Sequence, residues 1–478
     1  MGGNMILNIL YEPIQLSIFL IFMGFIFFIV SLLFNLSVRS IVSLNALLLL
    51  FAIVVSLNKI IAHQPILNNL LFIASIFSLV IYCSVLLIIV LLPSQLSTSK
   101  HVNELSFLFL LAAALMNILL YSSNYVYAYL LIEAIAFSFY LFIAYYSRTL
   151  SSVESAIKYY FVGTLTAIIF LLGVFFFYRA TLVISFDQFN LIYVTKENFL
   201  LLVIGIILIS TALAFKLGAA PLHFWLPEVY HGAPFYSLPM VIALSKLTIG
   251  YFLVSYLGSI YYNLNIDFSY VKGLFYFLAV LSMILGNLLA IKQKDVKKIL
   301  AYSSVANVGY LFSLLTIDIS DHLISLYASY LLIYSLSVFF FFLVLSFFIK
   351  DKQTIYLSLQ DFSSNLAYAN IFIIISLFLI TLNLAGFPPT LGFLLKLSIV
   401  YQLISHNQIV LASIFVLTTI LSVYYYWAII SCLIESIKRI QMRVYLPFSE
   451  ILLTLVVLFI GLYFLVGIFT PNVIPFFK

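Results

Sequence analysis

The sequence predicts an all-α polytopic membrane protein with about fourteen transmembrane helices. Three observations carry that prediction. Of 478 residues 65% are hydrophobic and 8% charged, with a mean hydropathy of +1.25, which leaves too few charged side chains to cover a soluble surface. The apolar residues come in runs of about twenty or more, the length a helix needs to cross a bilayer. Two runs are interrupted, at "FKLGAAPLHFWLPEVYHGAP" (215–234) and "NLAGFPPTLGFLLK" (383–396).

In chain order the spans are expected at 15–35, 40–58, 67–92, 104–121, 124–146, 156–178, 198–217, 236–258, 273–291, 298–316, 320–349, 366–385, 408–433 and 449–470. Shorter apolar pieces near 221–231 and 389–405 follow the interruptions and read as the second halves of discontinuous helices. The run 320–349 is longer than a bilayer requires, so it tilts, kinks or continues beyond it.

The interruptions have a local cause. Pro221 has no N–H, so the carbonyl of Leu217 loses its helical partner, and Gly218 loosens the same turn. Gly386, Pro388, Pro389 and Gly392 repeat the device. Broken helices are tolerated in lipid where they are buried in protein or line a wet cavity. One in each half of a chain points to an inverted-repeat transporter, with spans 4–8 and 9–13 as two five-helix repeats. The expected divisions are an N-terminal three-helix segment (1–103), a first repeat (104–260), a second repeat (261–434) and a C-terminal transmembrane helix (435–478).

Basic residues set the orientation. Loops on the side of the termini carry five, among them Lys59 and Lys272, and opposite loops carry thirteen, including Lys158, Lys297 and Lys298. By the positive-inside rule the termini face away from the cytoplasm or matrix. The net charge of +6 sits in these loops and speaks for topology, not for a nucleic-acid partner. Cys83 and Cys432 fall inside apolar runs, without a CxxC, a Cys/His cluster or a Gly-rich phosphate loop, so the chain lacks the ligands for iron–sulfur, haem or nucleotide chemistry. The opening "MGGNMILNILYEPIQ" has neither a basic n-region nor an Arg/Ser-rich transit pattern, so no cleaved targeting peptide is expected.

Three lysines belong to no loop. Lys216, Lys246 and Lys396, with Glu133, lie several residues inside apolar runs. A charge at the bilayer centre costs ~2.5–3.5 kcal/mol on insertion scales, so such groups need partners or water. Lys216 and Lys396 could instead snorkel to headgroups, but Glu133 and Lys246 are flanked too deeply for that. Burial and a nearby carboxylate pull a lysine's proton affinity in opposite directions, so a Glu133–Lys216 pair could hold or release a proton. His223 could relay between Lys216 and Lys246. His231 reads as interfacial, Glu228 as a cap or anchor, and Ser245, Thr248, Ser335 and Asn383 as possible water holders.

These residues resemble the antiporter-like membrane subunits of respiratory complex I (NADH:ubiquinone oxidoreductase), a family shared with multi-subunit sodium/proton antiporters. The resemblance rests on the 215–234 segment with "SSVESAIKYYFVGTL" (151–165), "KKILAYSSVANVGYL" (297–311), "LAGFPPTLGFLLK" (384–396) and "SVYYYWAII" (422–430), and covers roughly residues 104–430. Lysine at 396 and the tight "PLHFWLPEVYHGAP" spacing resemble the subunit 2 branch, called N in bacteria, more than subunits 4 or 5.

The resemblance implies a proton-translocating subunit. Glu133 and Lys216 would form the ion pair of the first half-channel, Lys246 the central lysine and Lys396 that of the second, with Lys158 a further family lysine and possible relay. His231 and Asn307 depart from the family pattern, and neither is expected to touch the proton path. The chain would carry no cofactor; NADH, FMN, iron–sulfur clusters and ubiquinone would sit in the rest of the complex. Expected partners are membrane-arm subunits 4, 4L, 5 and 6 and phospholipids, with no nucleic acid. The skew toward Phe, Ile, Leu, Tyr and Ser, with two Trp, looks like an AT-rich organelle genome. The expected location is therefore the mitochondrial inner membrane with termini toward the intermembrane space, and a bacterial plasma membrane is the alternative. A subunit of a multi-subunit cation/proton antiporter is the second reading, although the long C-terminal lateral helix of the largest such subunit is missing. A scaffold that no longer pumps is the third, and it would have shed the buried charges.

Overall fold

Lipid offers a backbone no hydrogen bonds, so each apolar run must close its own. The computed structural model describes residues 13–34, 36–62, 69–95, 99–145, 150–185, 196–264, 269–348, 358–366 and 371–438, and these are helical apart from turns and two isolated β-bridges. The helices are α1 (Pro13–Leu33), α2 (Val38–Ala62), α3 (Asn69–Gln95), α4 (Ser99–Leu120), α5 (Tyr125–Ala144), α6 (Leu150–Thr181), α7 (Lys196–Leu217) and the half-helix α8 (Trp225–Gly232). A π-helical segment, Pro239–Leu244, runs into α9 (Ser245–Leu264). Then follow α10 (Ser269–Ile291), α11 (Val296–Leu314), α12 (Asp321–Phe348), the short α13 (Leu359–Leu366), α14 (Ile371–Ala385), the half-helix α15 (Leu391–Ser405) and α16 (Ile409–Lys438).

Among the described residues eleven stretches are long and apolar enough to cross a membrane, and α14 and α15 are shorter apolar helices. The protein is a multi-pass integral membrane protein. The long run near 320 is one unbroken 28-residue helix, α12. At 1.5 Å per residue it is about 42 Å long, against a hydrocarbon core of about 30 Å. The span expected at 449–470 lies outside the described residues.

The centre is formed by α9 with its π segment and by α12, whose apolar windows are 94% and 89% buried. Around them α6 lies along α7, α10 along α11, α1 on α4, α2 on α3 and α14 on α16. Small residues permit the closest approaches: a Cβ on Gly205 would stand 2.7 Å from the Phe177 nitrogen, and one on Gly286 2.6 Å from the Ala306 nitrogen. Outward, α6 shows Phe161, Ile168 and Phe175 to the surroundings, a face suited to lipid or to another apolar helix.

Certain local features occur twice. Asn124 caps α5, accepting from the amides of Val126 and Tyr127, and is bridged to Ser185 after α6. Asp295 caps α11, accepting from the Lys297 amide, and is bridged to Ser358 after α12. A broken helix follows in each case, α7 and then α14.

The breaks correct one expectation. The helix is closed by glycine before the proline acts. Gly218 has φ +83°, its N–H donates to Phe215 O at 2.9 Å, and the Ala219 N–H donates to Ala214 O at 3.0 Å. Gly386 has φ +73°, donating to Asn383 O at 3.1 Å, while the Phe387 N–H donates to Leu382 O at 3.1 Å. Both are Schellman closures, which need a left-handed residue that glycine adopts without steric cost. Pro221, Pro388 and Pro389 lie two to three residues beyond the closures and keep the chain from resuming the same helix.

Candidate proton-transfer site

Glu133 projects from the middle of α5, and Lys216 from the last turn of α7, just before the Gly218 closure. Lys216 Nζ donates to Glu133 Oε1 at 2.6 Å, with side chains 11% and 25% exposed. Neither group snorkels; each is the other's partner. Beside them a recess of about 500 Å³, walled by Leu111, Leu115, Phe137, Tyr140 and Tyr160, leaves the carboxylate reachable from the edge of the bundle. Ser282 on α10 accepts from the Ala220 N–H at 2.9 Å and so ties the break to the second half of the chain.

Lys246 stands in the first turn of α9, directly after the π segment, and is 4% exposed. Single π turns in otherwise α-helical stretches recur at functional sites. Its ammonium donates to Ser304 Oγ on α11 at 2.8 Å. Ser304 in turn donates to Ala301 O, and the Tyr230 hydroxyl lies 3.4 Å from Ser304 Oγ.

Lys396 on α15 is 7% exposed, and its ammonium reaches back to the end of α14. It donates to Leu384 O at 3.2 Å and Ala385 O at 3.1 Å, two carbonyls that the closure leaves open. A cation at a helix C-terminus also lies favourably in the helix dipole. The face of Tyr310 is 5.3 Å away. Asn383 fixes this break, accepting from the Gly392 N–H and donating to Ser337 Oγ, both at 2.8 Å. A cavity of about 10 Å³, room for about one water, adjoins Lys396 and is bordered by Asn307, Tyr330, Tyr334 and Asn383.

The structure places the other candidates as follows. Lys158 lies on α6, 45% exposed, and bridges Glu154 and Glu228 at 2.7 Å each; it does not meet Glu133 or Lys216. Glu228 therefore anchors α8 to α6. His223 is 9% exposed and packs edge-on against Tyr302, making no hydrogen bond to a lysine among the described residues. His231 meets Asp295 at 2.5 Å, Nδ1 to Oδ2. Ser245, Thr248 and Ser335 donate to carbonyls of their own helices and do not link the lysines. Cys432 is buried, Cys83 half-buried, and neither is bonded to the other.

Three sequence expectations are corrected here. Lys297 belongs to no loop: it is 1% exposed, donates to His231 O and Ala233 O, and lies 3.9 Å over the Phe235 ring. Its amide follows the Asp295 cap, which draws the side chain inward against the connector after α8. Lys59 is likewise buried at the end of α2, 5.7 Å over Tyr121. Asn307 does border the site, since it lines the Lys396 cavity and accepts from the Tyr330 hydroxyl at 2.7 Å. Ser304, Tyr330 and Tyr334 gave no signal in a sequence with 34 tyrosines and serine in almost every helix.

The family described as NADH:quinone oxidoreductase/Mrp antiporter, TM matches residues 122–422. NADH-quinone oxidoreductase subunit N 2 of Thermodesulfovibrio yellowstonii is 34% identical over 70% of this chain and 70% of its own. The chain belongs to the NADH:quinone oxidoreductase/Mrp antiporter transmembrane family. The matched segment contains Glu133, Lys216, Lys246 and Lys396, while α1–α4 lie before it. The family fold extends over nearly the whole chain. A chain of respiratory complex I from Thermus thermophilus superposes with a TM-score of 0.75 at 22% identity, covering 95% of this chain and 98% of that one. One from the Mrp complex of Dietzia sp. does so at 0.73 and 16% identity, with 97% and 96% covered.

Proposed function

We propose that the chain is a subunit N (subunit 2) of NADH:quinone oxidoreductase and moves protons across the membrane, driven by electron transfer in other subunits. The carrying observation is the Glu133–Lys216 pair at a glycine-closed helix break, followed inward by two further buried lysines, each held by a different kind of acceptor. A carboxylate, a hydroxyl and a helix end are three environments in which a lysine keeps its proton to different degrees. Strengthening or loosening the Glu133–Lys216 contact then changes whether Lys216 holds a proton or passes it toward Lys246, and from there toward Lys396. A shift of a few kcal/mol is enough, since moving one charge against 100 mV costs ~2.3 kcal/mol.

The repeated cap, bridge and break support reading 104–260 and 261–434 as two related half-channels of inverted topology. On this reading the redox cofactors and the quinone site belong to other subunits, and the flanking partners are the remaining membrane-arm subunits 4, 4L, 5 and 6. The membrane is the mitochondrial inner membrane, with the termini on its outer side.

The test uses the intact complex reconstituted in vesicles. Glu133→Ala or Lys246→Ala is expected to lower proton uptake and coupled quinone reduction together, with subunit content unchanged. Full pumping by assembled variants would end the proposal. Co-purification with a quinone-reducing complex is expected; its absence, with cation/proton exchange by the purified protein, would move the chain to the antiporter branch of the family.

A further inference from the structure

The π turn ahead of Lys246 carries one residue more than an α-helix would, and the hydrogen bonds at its end show how that residue is kept. In an α-helix the Ser245 N–H would donate to Val241 O, four residues back. Here it donates to Met240 O, five back. Val241 O, passed over by that amide and buried, takes the Ser245 hydroxyl instead, at 2.5 Å. Serines elsewhere in the chain make a bond that looks the same. Ser337 Oγ donates to Ile333 O, but inside the unbroken helix α12, where a hydroxyl only shares a carbonyl with the backbone. At Ser245 the hydroxyl stands in for the missing amide.

The stretch is pinned on both sides. Ahead of the π turn the Tyr236 hydroxyl donates to Tyr145 O at the end of α5, at 2.6 Å, and the amides of Met240 and Val241 both donate to Ser237 O. Behind it the Tyr251 hydroxyl donates to Leu70 O on α3 at 2.7 Å. Gly250 lies so close to α12 that a Cβ there would stand 2.9 Å from the Leu331 side chain. A helix held at both ends cannot expel its extra residue. That residue can only travel along the helix, and Lys246 lies between its present place and the rear anchors. Were it to pass Lys246, the lysine would turn by about 100° and advance by about 1.5 Å, the step of one helical residue. Its ammonium would then leave Ser304 Oγ, which it now meets at 2.8 Å.

We propose that Ser245 is a positioning residue: its hydroxyl, set on Val241 O, keeps the π turn ahead of Lys246 and so aims that lysine at Ser304. This role rests on the proposed function, since the aim matters to turnover only if Lys246 carries protons.

The test compares Ser245→Ala, Ser304→Ala, the double variant and Lys246→Ala in the intact complex in vesicles, reading coupled proton uptake at unchanged subunit content. Ser245→Ala removes the hydroxyl and leaves the Val241 carbonyl to compete for the amide of residue 245. It is expected to slow coupled uptake about ten-fold or more, as misplacement of a reacting group by about 1 Å does. Ser304→Ala removes the atom at which the lysine is aimed. In that background Ser245→Ala should cost less than about two-fold further, because both changes break the same contact. If Ser245→Ala does not assemble, Ser245→Cys, with a thiol that donates weakly, is read in its place by the same criteria. Wild-type uptake in the residue 245 variant, with Lys246→Ala impaired, would overturn the positioning role and leave the proposed function standing. Losses that multiply in the double variant would also overturn it, since a packing defect at Ser245 would act independently of Ser304. Wild-type uptake in Lys246→Ala would overturn both.

Discussion

Gly386 and Lys396 share one space. A Cβ on the glycine would stand 2.8 Å from the lysine Cδ and 3.0 Å from its Nζ, so the missing side chain is what lets the ammonium reach the end of α14. The glycine closes the helix and the lysine covers the carbonyls that this closure leaves open.

Gly386→Ala should therefore do two things at once. The left-handed backbone (φ +73°) costs an alanine about 1–3 kcal/mol, and the methyl group pushes Lys396 from its carbonyls. Lower thermal stability and lower coupled turnover are expected together. Gly273→Ala is the control, since no atom lies within 4 Å of its Cβ in the middle of the first turns of α10. It should be neutral or stabilising by about 0.5–1 kcal/mol. Equal effects of the two would deny the shared space at Gly386.

The Glu133–Lys216 contact can be weighed by a double-mutant cycle of Glu133→Gln and Lys216→Met. Removing one partner of a buried pair is worth about 3–5 kcal/mol, less here because the carboxylate is one-quarter exposed. A coupling of about 1–3 kcal/mol in unfolding or turnover is expected, with the double variant milder than the sum of the singles. Additivity within about 0.5 kcal/mol would mean that the two charges act independently.

Lys297→Met removes the donor to two carbonyls in the connector after α8 while keeping the length of the side chain. Taking the donor from the Ala233 oxygen should cost about 1–3 kcal/mol locally. Hydrogen exchange of amides 233–241 is expected to speed up about ten-fold or more, which corresponds to about 1.4 kcal/mol. Unchanged protection would show that the connector is held by packing alone.

Asp318, between α11 and α12, gives a pH signature. Lys272, hydrogen-bonded to it at 2.5 Å, holds its carboxyl below the ordinary aspartate range, and the Tyr261 hydroxyl adds to this. A depressed carboxyl contributes stability that is fully present above the unfolded value, about pH 4, and is lost as pH falls through the lower folded value. The Asp318 side chain is 60% exposed, so the contribution is about 0.2–1 kcal/mol. Lys272→Ala should lower thermal stability slightly at pH 7, and the difference should shrink below pH 4. A larger gap in acid would contradict the pairing.

What could be read in the sequence was whatever broke a pattern. A lysine or glutamate inside an apolar run costs enough to demand an explanation, so Glu133, Lys216, Lys246 and Lys396 stood out before any fold was known. Glycine beside proline marked both breaks, although the closing residue proved to be the glycine. What could not be read were the acceptors. Ser304 and Tyr334 differ from other serines and tyrosines only in what lies across from them on α9 and α15. Lys297 was hidden for the opposite reason: it sits among other basic residues at a helix start, where a solvated side chain is the usual outcome.

The half-helix α8 is tied at both sides. Ser155 and Lys158 of α6 hold Glu228, while Asp295 and Lys297 beside α11 hold the carbonyls and the imidazole at its far end. So short a rod, fastened to two neighbours, is a splint. A twist of α6 against α11 must bend it or snap a fastening. The chain leaving its far end reaches the π turn ahead of Lys246 through six residues, 233–238, so torque applied to α8 would be felt at that lysine.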